Sequence, residues 1–251
     1  MTNFWILELI KFLVLPGLAY GLGRVVLNTG VKVNYTRKII HFFIFFLPVY
    51  LESLLPYNAD FGTILLSGFL FLLTIGLMVE PVRSRISALN TAFASIDRPE
   101  DRPHTLLWLS TQVMATFPVL CISLYLLDQY ERTTLIYITV IIAGIGDGLA
   151  EPVGVRFGRH KYATRALFSD RKYTRSYEGS ACVFLSGVFA CLLLKDQFSS
   201  VELVLALLII PVAMTLAEAF SPHTWDSPFL YLIGGSTTIM VIEIASLIAA
   251  G

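Results

Sequence analysis

The chain has 251 residues, of which 56% are hydrophobic and only 14% are charged, and its mean hydropathy is +0.73. Soluble domains carry about 25% charged residues, so the composition excludes an ordinary soluble domain and indicates a polytopic membrane protein. Acidic and basic residues number 18 each, which gives a net charge of zero. The distribution of the charges is therefore more informative than their sum.

Eight segments are predominantly apolar over about 20 residues, the length that a transmembrane helix needs. They are 4–27, 37–56, 61–80, 105–127, 133–153, 179–195, 200–220 and 229–250. The predicted fold is an all-α bundle of about eight transmembrane helices, which forms one integral-membrane domain over 1–251. The three cysteines lie in apolar runs without metal-ligand spacing, so we interpret them as core or lipid-facing residues.

The basic residues divide unequally between the two sides of this predicted bundle. Fifteen of the 18 lysines and arginines fall near one set of alternate loops, two fall on the opposite loops, and one lies inside the first span. Because lysine and arginine concentrate in cytoplasmic loops, we predict that both termini lie on the opposite side. Two long loops, 81–104 and 154–178, are then cytoplasmic. Ser84 to Ala94 is expected to form a short amphipathic interfacial helix.

The stretch 144–161 begins in an apolar segment and ends in the most basic part of the chain. Asp147 and Glu151 are four residues apart, so on a helix they share one face. Two carboxylates, together with phosphate oxygens and water, can complete an octahedral Mg²⁺ shell. The alternative is helix packing through small residues, with the acid pair facing water. Glycines that would let the backbone approach a phosphate are Gly144, Gly146, Gly148 and Gly154.

Seven basic residues follow the acid pair before the next span: Arg156, Arg159, Lys161, Arg165, Arg171, Lys172 and Arg175. Positive-inside bias and attraction to anionic headgroups would account for their charge alone. They do not account for the polar run 175–180, Arg-Ser-Tyr-Glu-Gly-Ser, which leads directly into the sixth span. An acid and small hydrogen-bonding residues at a helix start can receive an anion or a metal-bound water. Together these features predict a nucleotide site at a membrane surface.

Two further polar clusters adjoin predicted spans. Glu218 and Asp226 lie near the cytoplasmic end of the seventh span, where an interfacial turn with an aromatic anchor is the alternative interpretation. Arg37, Lys38 and His41 lie on the first turn of the second span. Snorkelling at a helix end explains the first two of these and explains the deeper histidine less well.

These motifs resemble those of the polyprenol kinase family, which comprises CTP-dependent dolichol, phytol and farnesol kinases and related CTP-dependent diacylglycerol kinases. The segment 146–154 resembles a G-D-x-x-A-x-x-x-G pattern, and 175–180 resembles [KR]-[ST]-x-E-G-S. An early R-K-x-x-H is similar to 37–41, and a late E…D-N…P is similar to 218–228, although Ser227 replaces the usual Asn. The four elements occur in the expected order and cover nearly the whole chain.

The resemblance implies transfer of the terminal phosphate of CTP to the hydroxyl of a membrane lipid alcohol, a prenol such as phytol or a polyprenol. It implies Mg²⁺ held by Asp147 and Glu151. Catalytic roles are expected for Asp147, Glu178 and Asp226, while the general base stays open among Asp226, Glu178 and His41. The expected nucleotide-binding residues are Gly146, Gly148, Gly154, Arg156, Lys161, Lys172, Arg175, Ser176, Glu178, Gly179 and Ser180. The expected residues for the lipid alcohol are Arg37, Lys38, His41, Glu218 and Asp226.

Three alternatives stay open: a phosphatidate cytidylyltransferase-like CDP-lipid synthase, a CTP-dependent diacylglycerol kinase and an ion-coupled transporter. The cytidylyltransferase signature is not intact, since Pro152 stands where a serine would be expected. The chain shows no inverted repeat of the transporter kind. We expect CTP, a lipid alcohol and membrane lipids as partners, and no nucleic acid. The intramembrane ionisable residues that a transporter could use are Glu8, Lys11, Glu52, Glu80, Glu218 and Glu243.

Overall fold

The computed structural model describes residues 1–166 and 169–250, without the side chains of Ser169 and Arg171. The helices are α1 (Thr2–Thr29), α2 (Val33–Leu54), α3 (Phe61–Gly76), α4 (Glu80–Arg83), α5 (Ser87–Ala94), α6 (Thr105–Asp128), α7 (Ile136–Ile141), α8 (Asp147–Phe157), α9 (Tyr177–Leu193), α10 (Ser200–Phe220) and α11 (Asp226–Ala250). A π-helix covers Ile142–Gly146, and 3₁₀ turns cover Pro99–Asp101, Thr133–Leu135 and Lys195–Gln197. Two antiparallel strands, β1 (Lys161–Ala166) and β2 (Ser169–Ser176), form a hairpin. The predicted all-α helical bundle is confirmed as the fold class, with one β-hairpin added to it.

Each of the eight predicted spans coincides with helical structure. Five helices are long and apolar enough to cross a membrane: Thr2–Thr29, Thr105–Asp128, Thr133–Phe157, Ser200–Phe220 and Asp226–Ala250. Two more, α3 and α9, are apolar but shorter. The remaining helix, α2, carries several charged residues near its two ends. The protein is thus a membrane protein with five candidate spans among the described residues, and the full count of eight transmembrane helices stays a prediction.

The chain divides into two compact units, Met1–Phe117 and Pro118–Gly251, and a single integral-membrane domain over 1–251 stays a prediction. In the first unit α1 packs against α2, α3 and α5. The helix expected at Ser84 to Ala94 begins at Ser87, and it buries Ala92 and Phe93. It lies so close to α1 that a Cβ on Gly23 would be 1.8 Å from the carbonyl oxygen of Thr91. This segment is therefore packed into the unit through its backbone.

The rest of the predicted loop 81–104 is also folded. Arg98 and Asp101 are both buried, and their ion pair has an Nε–Oδ2 distance of 2.7 Å. The hydroxyl of Thr36, on α2, donates to the carbonyl of Ser95 at 2.7 Å. Because buried polar groups need partners, the ion pair fixes the turn 98–101, and the Thr36 hydrogen bond joins Ser95 to the start of α2.

The second unit is a helical bundle with α9 at its centre. Helix α9 packs against α7, the π-helix, α8 and α10, while α11 packs against α7 and α10. Ile138, Ile142, Val183, Met214 and Leu230 are fully buried in it. Helix α10 begins with a capping box, in which the Ser199 hydroxyl and the Glu202 carboxylate each accept a hydrogen bond from the other residue's backbone N–H.

The prediction of a loop over 154–178 is wrong, because α8 continues to Phe157 and a β-hairpin follows. Burial alternates along β1, with Thr164 and Ala166 buried and Ala163 and Arg165 exposed. This period of two is the pattern of a strand with one covered face. The covered face docks on the connection from α10 to α11: the Arg165 carbonyl accepts from the His223 amide at 2.8 Å. The rings of Tyr173 and His223 stack at 3.6 Å.

Candidate functional site

Asp147 and Glu151 lie on α8, immediately after an irregular stretch of helix. The π-helix Ile142–Gly146 precedes Asp147, and Pro152 follows Glu151 within α8. Short π segments inside α-helices occur frequently at functional sites. Proline also has no N–H to donate to the carbonyl four residues earlier. The acid pair is therefore carried by a helix whose regular hydrogen bonding is interrupted on both sides.

Both carboxylates line one cleft at the end of the bundle, with a cavity volume of about 330 Å³. The cleft brings together side chains from α8, the hairpin, α9 and α10. Its lining residues are Asp147, Ala150, Glu151, Gly154, Val155, Lys161, Thr174, Arg175, Ser176, Gly179, Ser180 and Glu218. Three of the four sequence motifs thus contribute to one surface. The two carboxylates face the same space as two of the predicted cationic residues, Lys161 and Arg175.

Arg175 is the centre of a buried ion-pair network. Its side chain is 12% exposed, and its Nη1 lies 3.0 Å from Oε1 of Glu218. Its Nη2 contacts a carboxylate oxygen of Asp226. The hydroxyl of Ser221 accepts from both guanidinium nitrogens, at 3.3 and 3.2 Å, and donates to Asp226 at 2.8 Å. The guanidinium is thus already shared by two carboxylates from α10 and α11.

The electrostatic balance at Arg175 is set by burial and by several acids. Burial opposes its charge, but Asp226, Glu218 and Asp147 outweigh that effect and raise the pKa of Arg175. One guanidinium therefore faces three carboxylates. With Glu151 nearby, the cleft has an excess of negative charge that suits a cation or a cation-bound anion better than a bare phosphate.

A chain of hydroxyl groups connects the hairpin with the cleft. The Tyr162 hydroxyl lies 2.7 Å from the Ser180 hydroxyl, which donates to Oε2 of Glu218 at 3.2 Å. Burial, followed by the nearby charge of Glu218, raises the pKa of Tyr162. Both oxygens of Glu218 are therefore oriented, one by Arg175 and one by Ser180.

Glu178 holds the turn between α8 and β1, and it does not line the cleft. Its Oε1 accepts from the Arg159 amide at 3.1 Å, the His160 amide at 3.2 Å and the His160 ring at 3.0 Å. Its own backbone N–H, the His160 ring and these amides lower its pKa to about 2. Its Oε2 is buried and has no hydrogen-bond partner among the described residues. In the structure Glu178 therefore clamps the hairpin through Oε1, and its catalytic and nucleotide roles stay predictions.

Glycines of the two motifs serve the contact between α8 and α9. A Cβ on Gly146 would lie 2.3 Å from the Ser186 hydroxyl, and one on Gly179 would lie 2.6 Å from the Ala150 carbonyl oxygen. Gly154 would meet the Ser176 hydroxyl at 2.9 Å. The prediction that Gly146 lets the backbone approach a phosphate is therefore corrected: it lets two helices approach each other. Gly148 is buried on α8 and does not line the cleft.

Replacing Gly179 with alanine should destabilise the second unit by about 1–3 kcal/mol, because the new methyl group meets backbone that cannot rotate away. Gly21→Ala is the matched control, since nothing lies within 4 Å of a Cβ there. Alanine at this exposed helical position should be neutral or stabilise by up to about 1 kcal/mol. The check is the unfolding midpoint of each purified variant. Equal midpoints for Gly179→Ala and wild type would contradict the packing.

The other predicted cationic residues lie outside the cleft. Arg156, at the end of α8, is exposed, with its guanidinium 5.4 Å from the Phe157 ring centroid. Lys172 is exposed on β2 opposite Arg165, and Arg159 is exposed in the turn before β1. The side chain of Arg171 lies outside the described residues. Of the predicted cationic phosphate ligands, Lys161 and Arg175 line the cleft, whereas Arg156 and Lys172 do not; the other predicted nucleotide-binding residues that line it are Gly154, Ser176, Gly179 and Ser180.

Arg37, Lys38 and His41 belong to the first unit. Lys38 is only 4% exposed, which corrects the interpretation that it snorkels to solvent. The ring of His41 packs against Phe45, with centroids 4.6 Å apart. Their proposed contact with a lipid alcohol stays a prediction.

The donors at the cleft fit a metal ion that arrives with phosphate oxygens. Asp147 is 6% exposed, Glu151 is half-buried, and both line the same space. In the part of the chain that the structure describes, no group of three or more His, Cys, Asp or Glu side chains could hold a metal by itself. Mg²⁺ typically uses one or two protein carboxylates together with substrate phosphates and water. The two carboxylates suit that arrangement.

Some residues of the site were not anticipated. Ser221 bridges Arg175 and Asp226, and Tyr162 orients Ser180. The alternation of Tyr162, Thr164 and Ala166 along β1 was the available signal for Tyr162, because it predicts a strand with these three residues on one face. The sequence indicated Ser221 more weakly, through its position between Glu218 and Asp226.

No protein-family model, no curated protein and no solved structure matches this chain. The fold and the site define the class of the protein: a helical membrane protein with a charged cleft at one end of its second unit. The cleft combines an acid pair, a lysine and a carboxylate-bound arginine.

Proposed function

We propose that this protein is a CTP-dependent kinase that transfers the terminal phosphate of the nucleotide to the hydroxyl of a membrane lipid alcohol. The single observation that carries the proposal is the convergence on one cleft of Asp147 and Glu151 from α8, Lys161 from β1 and Arg175 from β2. Phosphoryl transfer needs little covalent chemistry from a protein, and it depends on alignment of the reactants and on charge neutralisation. CTP as donor rests on the motif resemblance.

The donor side of the cleft is formed by α8 and the start of β1. Asp147 and Glu151 would hold Mg²⁺, which when bound neutralises charge on the phosphate oxygens. The Lys161 side chain forms no ion pair within the described part of the chain, so its ammonium group is available to a phosphate. The backbone of Gly179 and the hydroxyls of Ser176 and Ser180 border the same space.

The acceptor side is formed by α9 and α10. Ser180 and Glu218 both line the cleft, and their hydrogen bond at 3.2 Å fixes the carboxylate. A lipid alcohol presenting its hydroxyl here would bond to Glu218 while its oxygen attacks the terminal phosphorus. The new O–P bond replaces the bond to the bridging oxygen, CDP leaves, and the hydroxyl proton passes to the Glu218 carboxylate. Asp226 and Glu178, which were considered as bases, do not line the cleft.

Arg175 has a different role from the predicted one. Because Glu218 and Asp226 already share its guanidinium, it serves first to hold the acceptor wall in position. It can still contribute positive charge to the cleft that it lines. The substitution of Ser227 for the asparagine of the resembled motif lies beside Asp226, where the serine is buried.

The experiment that tests this function is identification of the product. Purified protein is incubated with Mg²⁺, CTP labelled in the terminal phosphate, and phytol, farnesol, a polyprenol or diacylglycerol. Label is expected in a phosphorylated prenol, with CDP as the second product. A CDP-lipid with release of pyrophosphate would instead identify a cytidylyltransferase, and label in phosphatidate would identify a diacylglycerol kinase. No product with any acceptor would contradict the proposal and favour a transporter.

A further inference from the structure

The outward face of the hairpin carries two basic residues directly opposite each other. Arg165 on β1 and Lys172 on β2 are partners in the antiparallel register, and both are exposed. Neither side chain forms an ion pair or hydrogen bond with any described residue. Like charges directly opposite each other destabilise an antiparallel pair. The hairpin therefore keeps a costly arrangement that an anion would relieve.

The opposite face of the hairpin packs against the connection from α10 to α11, so its side chains are not available to neutralise the basic pair. Thr164 donates to the Ser221 carbonyl at 3.2 Å, and Tyr173 stacks on His223. Arg165 is four residues from the cleft-lining Lys161, or about 13 Å along a strand at about 3.3 Å per residue. Neither Arg165 nor Lys172 lines the cleft. The pair shares its strand face with the cleft-lining Lys161, and it lies further along β1, beyond the residues that line the proposed nucleotide site.

The helix ends beside the hairpin expose aromatic side chains. Phe157 ends α8 and is 60% exposed, Tyr177 begins α9 and is 63% exposed, and Phe220 ends α10 and is 81% exposed. Exposed aromatic residues at the ends of apolar helices are typical of the boundary between hydrocarbon and water. Basic residues at that level attract anionic headgroups. Aromatic and basic side chains occur together at this end of the second unit.

We propose that Arg165 and Lys172 form a docking surface for the phosphate groups of anionic membrane lipids. The lipid headgroup supplies the negative charge that relieves the cross-strand repulsion. It also holds the hairpin, and with it Lys161 and Arg175, at the membrane surface. The inference is independent of kinase activity, because it concerns lipid contact and not the reaction.

The test measures lipid selectivity by electron paramagnetic resonance. Protein is reconstituted in phosphatidylcholine bilayers with a trace of spin-labelled phosphatidylglycerol or phosphatidylcholine, and the fraction of immobilised label gives the relative association. Wild type is expected to prefer phosphatidylglycerol, and salt should weaken that preference by screening. The double variant Arg165→Gln with Lys172→Gln should reduce it by up to about thirtyfold and each single variant by up to about fivefold, because each basic residue near a membrane surface contributes separately.

Lys195→Gln is the control for loss of a single charge. Lys195 is exposed and follows the C-terminal end of α9, whereas the hairpin adjoins the N-terminal end of that helix. Its selectivity should equal that of wild type. Unchanged selectivity in the double variant would overturn the proposal, and so would an equal loss in Lys195→Gln. Stabilisation by Mg²⁺ and CTP is measured on the same proteins. If the double variant loses that stabilisation but keeps its lipid selectivity, the pair belongs to the nucleotide site and the proposal is wrong.

Discussion

Replacing Asp147 with asparagine is expected to lower kcat/KM for phosphate transfer by about a thousandfold or more, which corresponds to about 4 kcal/mol of transition-state stabilisation. The asparagine side chain would keep the shape of the original one but lose the charge that holds a divalent ion. Glu218 also lines the cleft, but Arg175 and Ser180 already hold its two oxygens, so it is not expected to replace Asp147. The measurement is the initial rate of labelled prenyl phosphate formation at saturating Mg²⁺.

Asp170→Asn is the control for this prediction, since Asp170 is an exposed acid on the hairpin. Its rate should stay within about threefold of wild type, as expected for a surface change away from the site. The unfolding midpoint is measured for both variants, so that loss of structure is recognised. An Asp147→Asn variant that folds and retains wild-type activity would remove the metal assignment.

Replacing Arg175 with alanine is expected to destabilise the protein by about 3–5 kcal/mol, the usual cost of leaving buried charges without their partner. The carboxylates of Glu218 and Asp226 would lose the cation that they share, and the Ser221 hydroxyl would lose its two guanidinium contacts. The free energy of unfolding, measured by titration with a denaturing detergent, gives the effect. Arg165→Ala is the matched control, because it removes an exposed arginine from the adjacent strand.

A triple variant separates the effect of unpaired charges from the effect of the lost side-chain volume at Arg175. Arg175→Met combined with Glu218→Gln and Asp226→Asn removes the guanidinium and both charges together. Because apolar or neutral replacements of a whole buried ion network are often tolerated, this triple variant should be more stable than Arg175→Ala. If Arg175→Ala is as stable as Arg165→Ala, the network does not hold the hairpin to the helices.

The positions of the helices could be predicted from the sequence, because long apolar segments dominate the pattern. All eight segments are helical, and Asp147 and Glu151 do share one helix and one cleft, as their spacing predicts. The hairpin could not be anticipated from composition alone, since basic residues are scattered among the apolar and aromatic residues of 154–178. Its weak alternation, seen in Thr164 and Ala166, is clear only when the covering segment at His223 is known.

The partners of the charged residues were the least predictable part of the site. Seven basic residues follow the acid pair, and nothing in their spacing distinguishes Arg175, which turns inward to Glu218 and Asp226, from Lys172, which turns outward. The difference arises because side chains alternate between the two faces of a strand, which matters only once the strand is known. It also depends on Glu218 and Asp226, which lie more than forty positions later in the chain. Gly146 was misinterpreted for a similar reason, because its close neighbour, Ser186, lies on another helix.

The most direct measurement is the unfolding midpoint of the detergent-solubilised protein with Mg²⁺, CTP, both or neither. Because the two carboxylates need phosphate oxygens to complete a metal shell, only Mg²⁺ and CTP together should give the full stabilisation, about 2.7 kcal/mol at a hundredfold excess over Kd. The Asp147→Asn variant should show none of it. Full stabilisation by CTP in the presence of a chelator, or an unchanged response in Asp147→Asn, would contradict a metal-dependent nucleotide site in this cleft.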